Sequence, residues 1–248
     1  MIILSIFFFI TSILYSSVGF GGGSTYLAIL LIGGVSYQIF PAIALCCNII
    51  VVSGNCFNYI RTRNINIKLL APYLASSVPL AFIGGSLTID KHLFEVLLFM
   101  VLSLAGSLLL IKFRSFDENK IVYKKIPIVI SILIGGGIGL ISGIVGIGGG
   151  IFLSPILFLL NIDKARNIIT AASLFILANS LAGLAGHLTK TFVFEELYNY
   201  WFLFLLVLIG GQIGNFLNIK IFSARVLALL TAGLVIFVAV RVGFRLFM

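Results

Sequence analysis

The sequence predicts an all-α, polytopic helical membrane protein, with about eight transmembrane segments in two duplicated four-segment halves and glycine-broken helices 1 and 5. Three observations predict it. The chain of 248 residues is 61% hydrophobic and 9% charged, more apolar surface than one water-soluble core can hide. The apolar residues come in long continuous runs. The string VGFGGG at residues 18–23 returns as VGIGGG at residues 145–150, 127 positions later.

In chain order the apolar segments are 2–32, 36–60, 68–88, 93–111, 127–160, 167–187, 199–217 and 225–247. A hydrocarbon core of about 30 Å takes roughly 20 helical residues, so most of them are long enough to cross. Continuous runs in place of alternation exclude a β-barrel. Helices remain as the structure that satisfies its own backbone in lipid. The opening MIILSIFFFITSIL lacks a basic n-region and leads directly into the first glycine cluster, so it is expected in the mature chain.

Segment 2–32 would be about 46 Å long as one helix, more than a bilayer needs. Gly19, Gly21, Gly22 and Gly23 each cost roughly 1 kcal/mol against Ala in a helix interior. A break is expected there, followed by a half-helix from about Ser24 and Thr25. The second segment, PAIALCCNIIVVSGN at its centre, mixes small and hydroxyl residues into an apolar helix. Its Cys46 and Cys47, with Cys56, show neither CxxC spacing nor clustered histidines, so no disulfide, metal site or cofactor is indicated. The third segment closes on Ile83, Gly84 and Gly85, and the fourth carries Ala105 and Gly106.

The second half repeats this order. Gly146, Gly148, Gly149 and Gly150 predict another break, with a half-helix from Ile151. IITAASLFILANSLAG answers the small-residue helix, Ile209, Gly210 and Gly211 answer the third landmark, and Ala232 and Gly233 the fourth. The domain reading is therefore a first membrane repeat at 1–112, a cytoplasmic linker at 113–126 and a second membrane repeat at 127–248.

A net charge of +9 does not indicate nucleic acid, because the 16 Lys and Arg residues sit between apolar segments and form no single cationic face. With eight crossings, Lys91, Lys164, Arg166, Lys220 and Arg225 fall on one side and the other eleven on the opposite side, which puts both termini in the cytoplasm. If both glycine-containing segments enter and leave by the same face, only Lys91, Lys190, Arg241 and Arg245 stand against twelve. The N-terminus then moves outside. Charge bias alone does not choose between the two.

Broken backbone survives at membrane depth only where protein or a water-filled cavity satisfies it, so both breaks should face the bundle interior. A half-helix starting after each cluster offers unpaired N–H groups and the positive end of its dipole, and glycine lets an anion approach closely. Two such ends brought together would bind an anion without a buried cation. The seven acids, Asp90, Glu95, Asp117, Glu118, Asp163, Glu195 and Glu196, lie at or near segment ends. A cation transporter usually needs a carboxylate in a helix centre. Candidate substrate ligands are Gly21, Gly22, Gly23, Ser24, Thr25 and Asn48 in the first half, and Gly148, Gly149, Gly150, Thr170, Ser173 and Asn179 in the second. Ser53, Asn55 and Ser180 belong to the same polar set, although small and hydroxyl residues also serve ordinary helix packing. His187 is either a proton-sensitive gate or an interface marker, the latter favoured by nearby Lys190. Gln212 and Asn215 either line a pore or cap a kinked helix.

GFGGGS is not a dinucleotide fingerprint, since Ser24 or, in the repeat, Ile151 would have to be the third glycine. There is no phosphate-binding loop of the G-x-x-x-x-G-K-[ST] kind and no catalytic constellation, so an enzyme is not expected.

The doubled VGFGGG and VGIGGG, the small-residue helices after them and the recurring Ile-Gly-Gly together make the chain resemble the sulfite exporter TauE/SafE family, also called the toluene sulfonate uptake permease family. The resemblance covers nearly the whole chain. It implies a multi-pass transporter of the bacterial cytoplasmic membrane, moving sulfite, sulfonates or related sulfur-containing anions. Two departures bear on substrate more than on fold. The proline that commonly follows the glycine helix is present as Pro155 but replaced by Ala28 in the first half, and the polar gap of the second half has Lys190 where more arginine is usual. The expected partners are a small anionic solute and the lipid bilayer. Export is favoured, because no intramembrane carboxylate is available as a proton relay. An anion channel, or a non-transporting scaffold or assembly factor whose glycines serve packing alone, are the alternatives. The sequence does not set the oligomeric state.

Overall fold

The computed structural model describes residues 2–61, 66–114, 126–160, 162–163 and 165–217, with positions 233, 236, 239, 240, 243 and 244 beyond them. Most of the proposed linker 113–126 and most of segment 225–247 lie outside the described residues. Among the described residues there are helices and no strands. They run α1 Ile2–Ser16, α2 Gly23–Ile32, α3 Phe40–Arg61, α4 Ile67–Ser86, α5 Lys91–Arg114, α6 Ile128–Val145, α7 Gly150–Leu159, α8 Ala165–His187, α9 Thr191–Leu197, a 3₁₀ turn Tyr198–Tyr200 and α10 Trp201–Leu217. Five stretches are long and apolar enough to cross a membrane: α3, α4, α6, 167–187 in α8, and 191–217 across α9 and α10. Large apolar side chains such as Ile3, Leu133, Trp201 and Phe216 stand exposed, as a lipid-facing surface requires.

Both expected breaks are present. The first apolar segment divides into α1 and α2 across residues 17–22, and the fifth into α6 and α7 across 146–149. At each the chain turns through glycines with positive φ, +88° at Gly22 and +77° at Gly149, a conformation that a Cβ disfavours.

The first broken segment folds back on itself as a hairpin. Phe8 of α1 stacks on Tyr26 of α2 with ring centroids 4.7 Å apart, and Tyr15 Oη lies 2.7 Å from Thr25 Oγ1. Leu4, near the start of α1, reaches to 2.6 Å from where a Cβ on Gly33 would stand, just past the end of α2. The second break repeats the arrangement: Ile138 of α6 lies against Gly149 as Thr11 of α1 lies against Gly22. Helix α7 then runs back along α8, with Gly148 beside Ser180 and Gly150 beside the Ala172 carbonyl.

Among the described residues each break folds as a hairpin, with the longer helices α3, α4 and α8 packed around them. The physical reason is the uncapped glycine turn: it reverses the chain inside the bundle, and α2, of 10 residues or about 15 Å, is too short to complete a crossing.

Helices α3 and α8 form the centre and run antiparallel. Leu45, early in α3, lies 3.3 Å from the Cβ position of Gly183, late in α8; Val52 packs with Ile176; and Tyr59, late in α3, meets Gly19 together with Ile169, early in α8. Around this pair the packing is matched half for half. The most extensive partner of α4 is α6, and that of α1 is α10; α4 also packs on α8 as α10 does on α3, and α2 on α3 as α7 does on α8. Each pair becomes its counterpart when the halves are exchanged. Because the central pair is antiparallel, the matched pairs run in opposite directions about it.

The outer helices approach through small residues. Gly135, Gly139 and Gly143 lie one turn apart on α6, and their Cβ positions would fall 2.8, 2.5 and 2.9 Å from the Cα atoms of Tyr73, Ser77 and Ala81 on α4. On α10, Gly210 and Gly214 meet the carbonyls of Phe9 and Ile13 of α1 in the same way. Spaced glycines bring helix backbones into contact where lipid offers no hydrophobic drive for association. Ser16 Oγ, donating to Gly211 O at 2.6 Å, reinforces the α1–α10 seam.

Candidate anion site at the junction of two broken helices

The two glycine breaks touch. A Cβ on Gly23 would stand 2.6 Å from the carbonyl oxygen of Ile147 and 2.7 Å from Asn48 Nδ2, so the approach exists because position 23 has no side chain. Asn48, fully buried, donates from Nδ2 to Ile147 O at 3.0 Å. The same side chain borders Gly21 of the first break and Gly148 of the second. On the opposite side, Ile176 of α8 presents one methyl to both, at 3.2 Å from the Gly21 Cβ position and 3.0 Å from that of Gly148. Asn48 and Ile176 both lie near the middle of their helices, which places the junction at mid-depth in the bundle.

The junction is electropositive through backbone. Helix α2 has Gly22 as its N-cap without a side-chain cap, and its first in-helix acceptor serves Tyr26 N, bonded to Gly22 O at 3.0 Å. The amides of Gly23, Ser24 and Thr25 are therefore the leading N–H groups of the helix. At α7 the corresponding acceptor is Gly149 O, taken by Phe152 N and Leu153 N at 3.1 Å. Each terminus carries roughly half a positive charge.

Of the residues expected in the site, Gly21, Gly22, Gly23, Ser24, Asn48, Gly148, Gly149 and Gly150 gather at or beside the junction and are buried. Gly22 turns against the Tyr15 ring, Gly149 against Phe175, and Gly150 against Ile176. Thr25 is close, with its hydroxyl engaged to Tyr15. Ser173 donates to Gly19 O and so fixes the outer end of the first break. Thr170 is buried six residues before Ile176, about 9 Å of helix from the junction. Asn179 is buried and donates to Phe175 O at 2.8 Å within its own helix. Ser53 is exposed and donates back to Ile49 O within its own helix. Ser180, by contrast, is fully buried with its hydroxyl at Gly148.

Ile147, Ile176, Tyr15 and Tyr59 border the two breaks and were not singled out by pattern. The first contributes a carbonyl, which every residue has, and Ile176 is one apolar residue among many. Tyr15 precedes the first cluster by one helical turn, and that spacing was the available signal.

His187 is 3% exposed, with Nε2 2.8 Å from Gly143 O. Lys190 Nζ donates to Leu87 O at 2.7 Å and lies 3.4 Å from His187 Nδ1, and partial burial lowers its pKa from the ordinary lysine value. This tie fastens the ends of α4, α6 and α8 at the periphery, away from the junction. Asn215 accepts from Asn58 Nδ2 at 2.9 Å, joining α10 to α3.

Residues 4–242 match the sequence model of the family described as Sulfite exporter TauE/SafE. The chain is also similar to the probable membrane transporter protein y4hK of Sinorhizobium fredii (strain NBRC 101917 / NGR234), at 26% identity over 222 residues, covering 89% of each chain. No solved structure matches it.

Proposed function

The chain belongs to the sulfite exporter TauE/SafE family of membrane transporters, and from that premise we propose that it carries a small anion, sulfite, a sulfonate or a related sulfur-containing oxyanion, outward across the bacterial cytoplasmic membrane. The observation that carries this reading is the contact between Gly23 and Ile147, which joins two helix N-termini at one buried point. Such ends hold an anion with backbone N–H groups, and the bilayer midplane between inverted repeats is where transporters place their sites. An inside-negative potential favours anion exit by about 2.3 kcal/mol per charge per 100 mV, so export needs no coupling ion.

The hairpin geometry supports the second charge count, with Lys91, Lys190, Arg241 and Arg245 on one face and twelve basic residues on the other. On that count we propose that the N-terminus lies outside and residues 113–126 in the cytoplasm.

The test is flux in proteoliposomes for a panel of sulfite, thiosulfate, sulfonates and chloride under imposed potentials. Saturable movement of at least one sulfur oxyanion, accelerated toward the positive side, is expected. Absence of flux for the entire panel overturns the reading.

A further inference from the structure

We propose that the solute held at the junction is a singly charged oxyanion that still carries one hydrogen-bond donor, of which hydrogen sulfite in its hydroxyl form is the simplest example. This deepens the anion-site reading and rests on it.

The donors and acceptors at the junction do not balance within the protein. Among the described residues, Ser24 Oγ, Asn48 Oδ1 and Ser180 Oγ are buried without a hydrogen-bond partner, and each residue is at most 1% exposed. Buried polar atoms in native structures are nearly always paired, so unpaired groups gathered at one junction point to a ligand. Asn48 and Ser180 are neighbours, and Ser24 is next in the chain to a glycine that Asn48 touches. Ser24 follows Gly23, Asn48 borders Gly21 and Gly23, and Ser180 Oγ and Asn48 Nδ2 both stand 2.8 Å from the Gly148 Cβ position.

Asn48 sets the chemistry. Ile147 O can only accept, so the Asn48 atom facing it at 3.0 Å must be the NH₂ group, and the amide cannot be flipped. The atom left over is Oδ1, which only accepts. The leading amides of α2 only donate, and the serine hydroxyls do either. A solute that satisfies all of them presents negative oxygens to the amides and one O–H to Asn48 Oδ1. A fully deprotonated dianion would set its own lone pairs against that oxygen, in surroundings of low dielectric.

Charge gives the same answer independently. Two helix termini at roughly half a unit each supply about one positive charge. No Lys or Arg lies within the helices that form the junction, α2, α3, α7 and α8, except Arg61 and Arg166 near their ends. One negative charge is matched, and a second is not.

The solute titrates here and the site does not. The titratable side chains near the junction are Tyr15 from α1, Tyr26 from α2, and Cys47, Cys56 and Tyr59 from α3, all of types that ionise above pH 8. Helices α6 and α7 contain none, and α8 has Arg166 and His187 at opposite ends.

The experiment uses the full chain in proteoliposomes, with sulfite flux measured between about pH 5.5 and 8 at fixed total sulfite. Methanesulfonate, singly charged without a donor, and sulfate, doubly charged, are the comparison solutes. Flux is expected to rise as sulfite protonates, with hydrogen sulfite preferred at least tenfold over methanesulfonate, and methanesulfonate flux flat with pH. In Asn48→Leu the tenfold preference should disappear. The wild-type pH profile stands alone if that variant fails to fold. Flux that follows the dianion, or methanesulfonate carried as well as hydrogen sulfite, overturns this inference and leaves the anion-transport reading standing. Failure of every solute at every pH overturns both.

Discussion

Asn48 on α3 holds the carbonyl of Ile147 across the midline of the molecule, 99 positions away in sequence, with a 3.0 Å hydrogen bond. That bond fixes the second glycine break against the first, because the same side chain packs on Gly21 and Gly23. Replacing Asn48 with Ala leaves a buried carbonyl unpaired at a cost of about 1–3 kcal/mol. The expected outcome is a lower thermal midpoint in detergent and at least a tenfold fall in flux at saturating solute. Unchanged flux would remove Asn48 from the site.

Gly23→Ala and Gly137→Ala make opposite predictions from the same chemical change. The first places a methyl 2.6 Å from Ile147 O and must push the breaks apart; the second meets nothing within 4 Å on the exposed face of α6. Gly23→Ala should abolish flux in protein that still purifies as a folded species. Gly137→Ala should keep flux and gain up to about 1 kcal/mol of stability, since alanine is the better helix former. Thermal unfolding and proteoliposome flux on both variants separate a site from simple packing.

The α4–α6 seam is expected to be a stability element. A Cβ at Gly143 would fall 2.9 Å from Ala81 Cα and Ala81 C, backbone atoms that cannot rotate away. Gly143→Ala should therefore destabilise by about 1–3 kcal/mol, the usual cost of overpacking, while flux per folded molecule stays near wild type. A loss of flux without a fall in thermal midpoint would place Gly143 in the transport path instead.

Membrane sidedness distinguishes the hairpin topology from eight simple crossings. In a chain with Cys46, Cys47 and Cys56 replaced by Ala, Leu188→Cys should react with an impermeant maleimide added to intact cells, and Lys164→Cys only after permeabilisation. Eight crossings predict the reverse for both positions. A tag at the N-terminus should be reached from outside.

Much of this was legible in the primary sequence. Composition and run length gave the membrane class, and the consecutive Gly21, Gly22 and Gly23, with Gly148, Gly149 and Gly150, announced two breaks because glycine runs cannot sustain a helix against their conformational freedom. The regular spacing of Gly135, Gly139 and Gly143 carried the α4–α6 seam in plain view, overshadowed by the clusters. What pattern missed were groups with no signature of their own, such as the Ile147 carbonyl and the Ile176 methyl.

The sequence by itself determined where the chain must bend and that no carboxylate or cation stands at the centre of an apolar segment, since both depend on local residue type. Only the tertiary structure decided that α2 returns beside α1, that α3 and α8 oppose one another, and that Thr25 and Ser173 are spent on internal hydrogen bonds while Ser24, Asn48 and Ser180 keep unpaired atoms. Those outcomes depend on packing between residues from 10 to 154 positions apart, and a contact between separate helices has no local pattern from which it can be read.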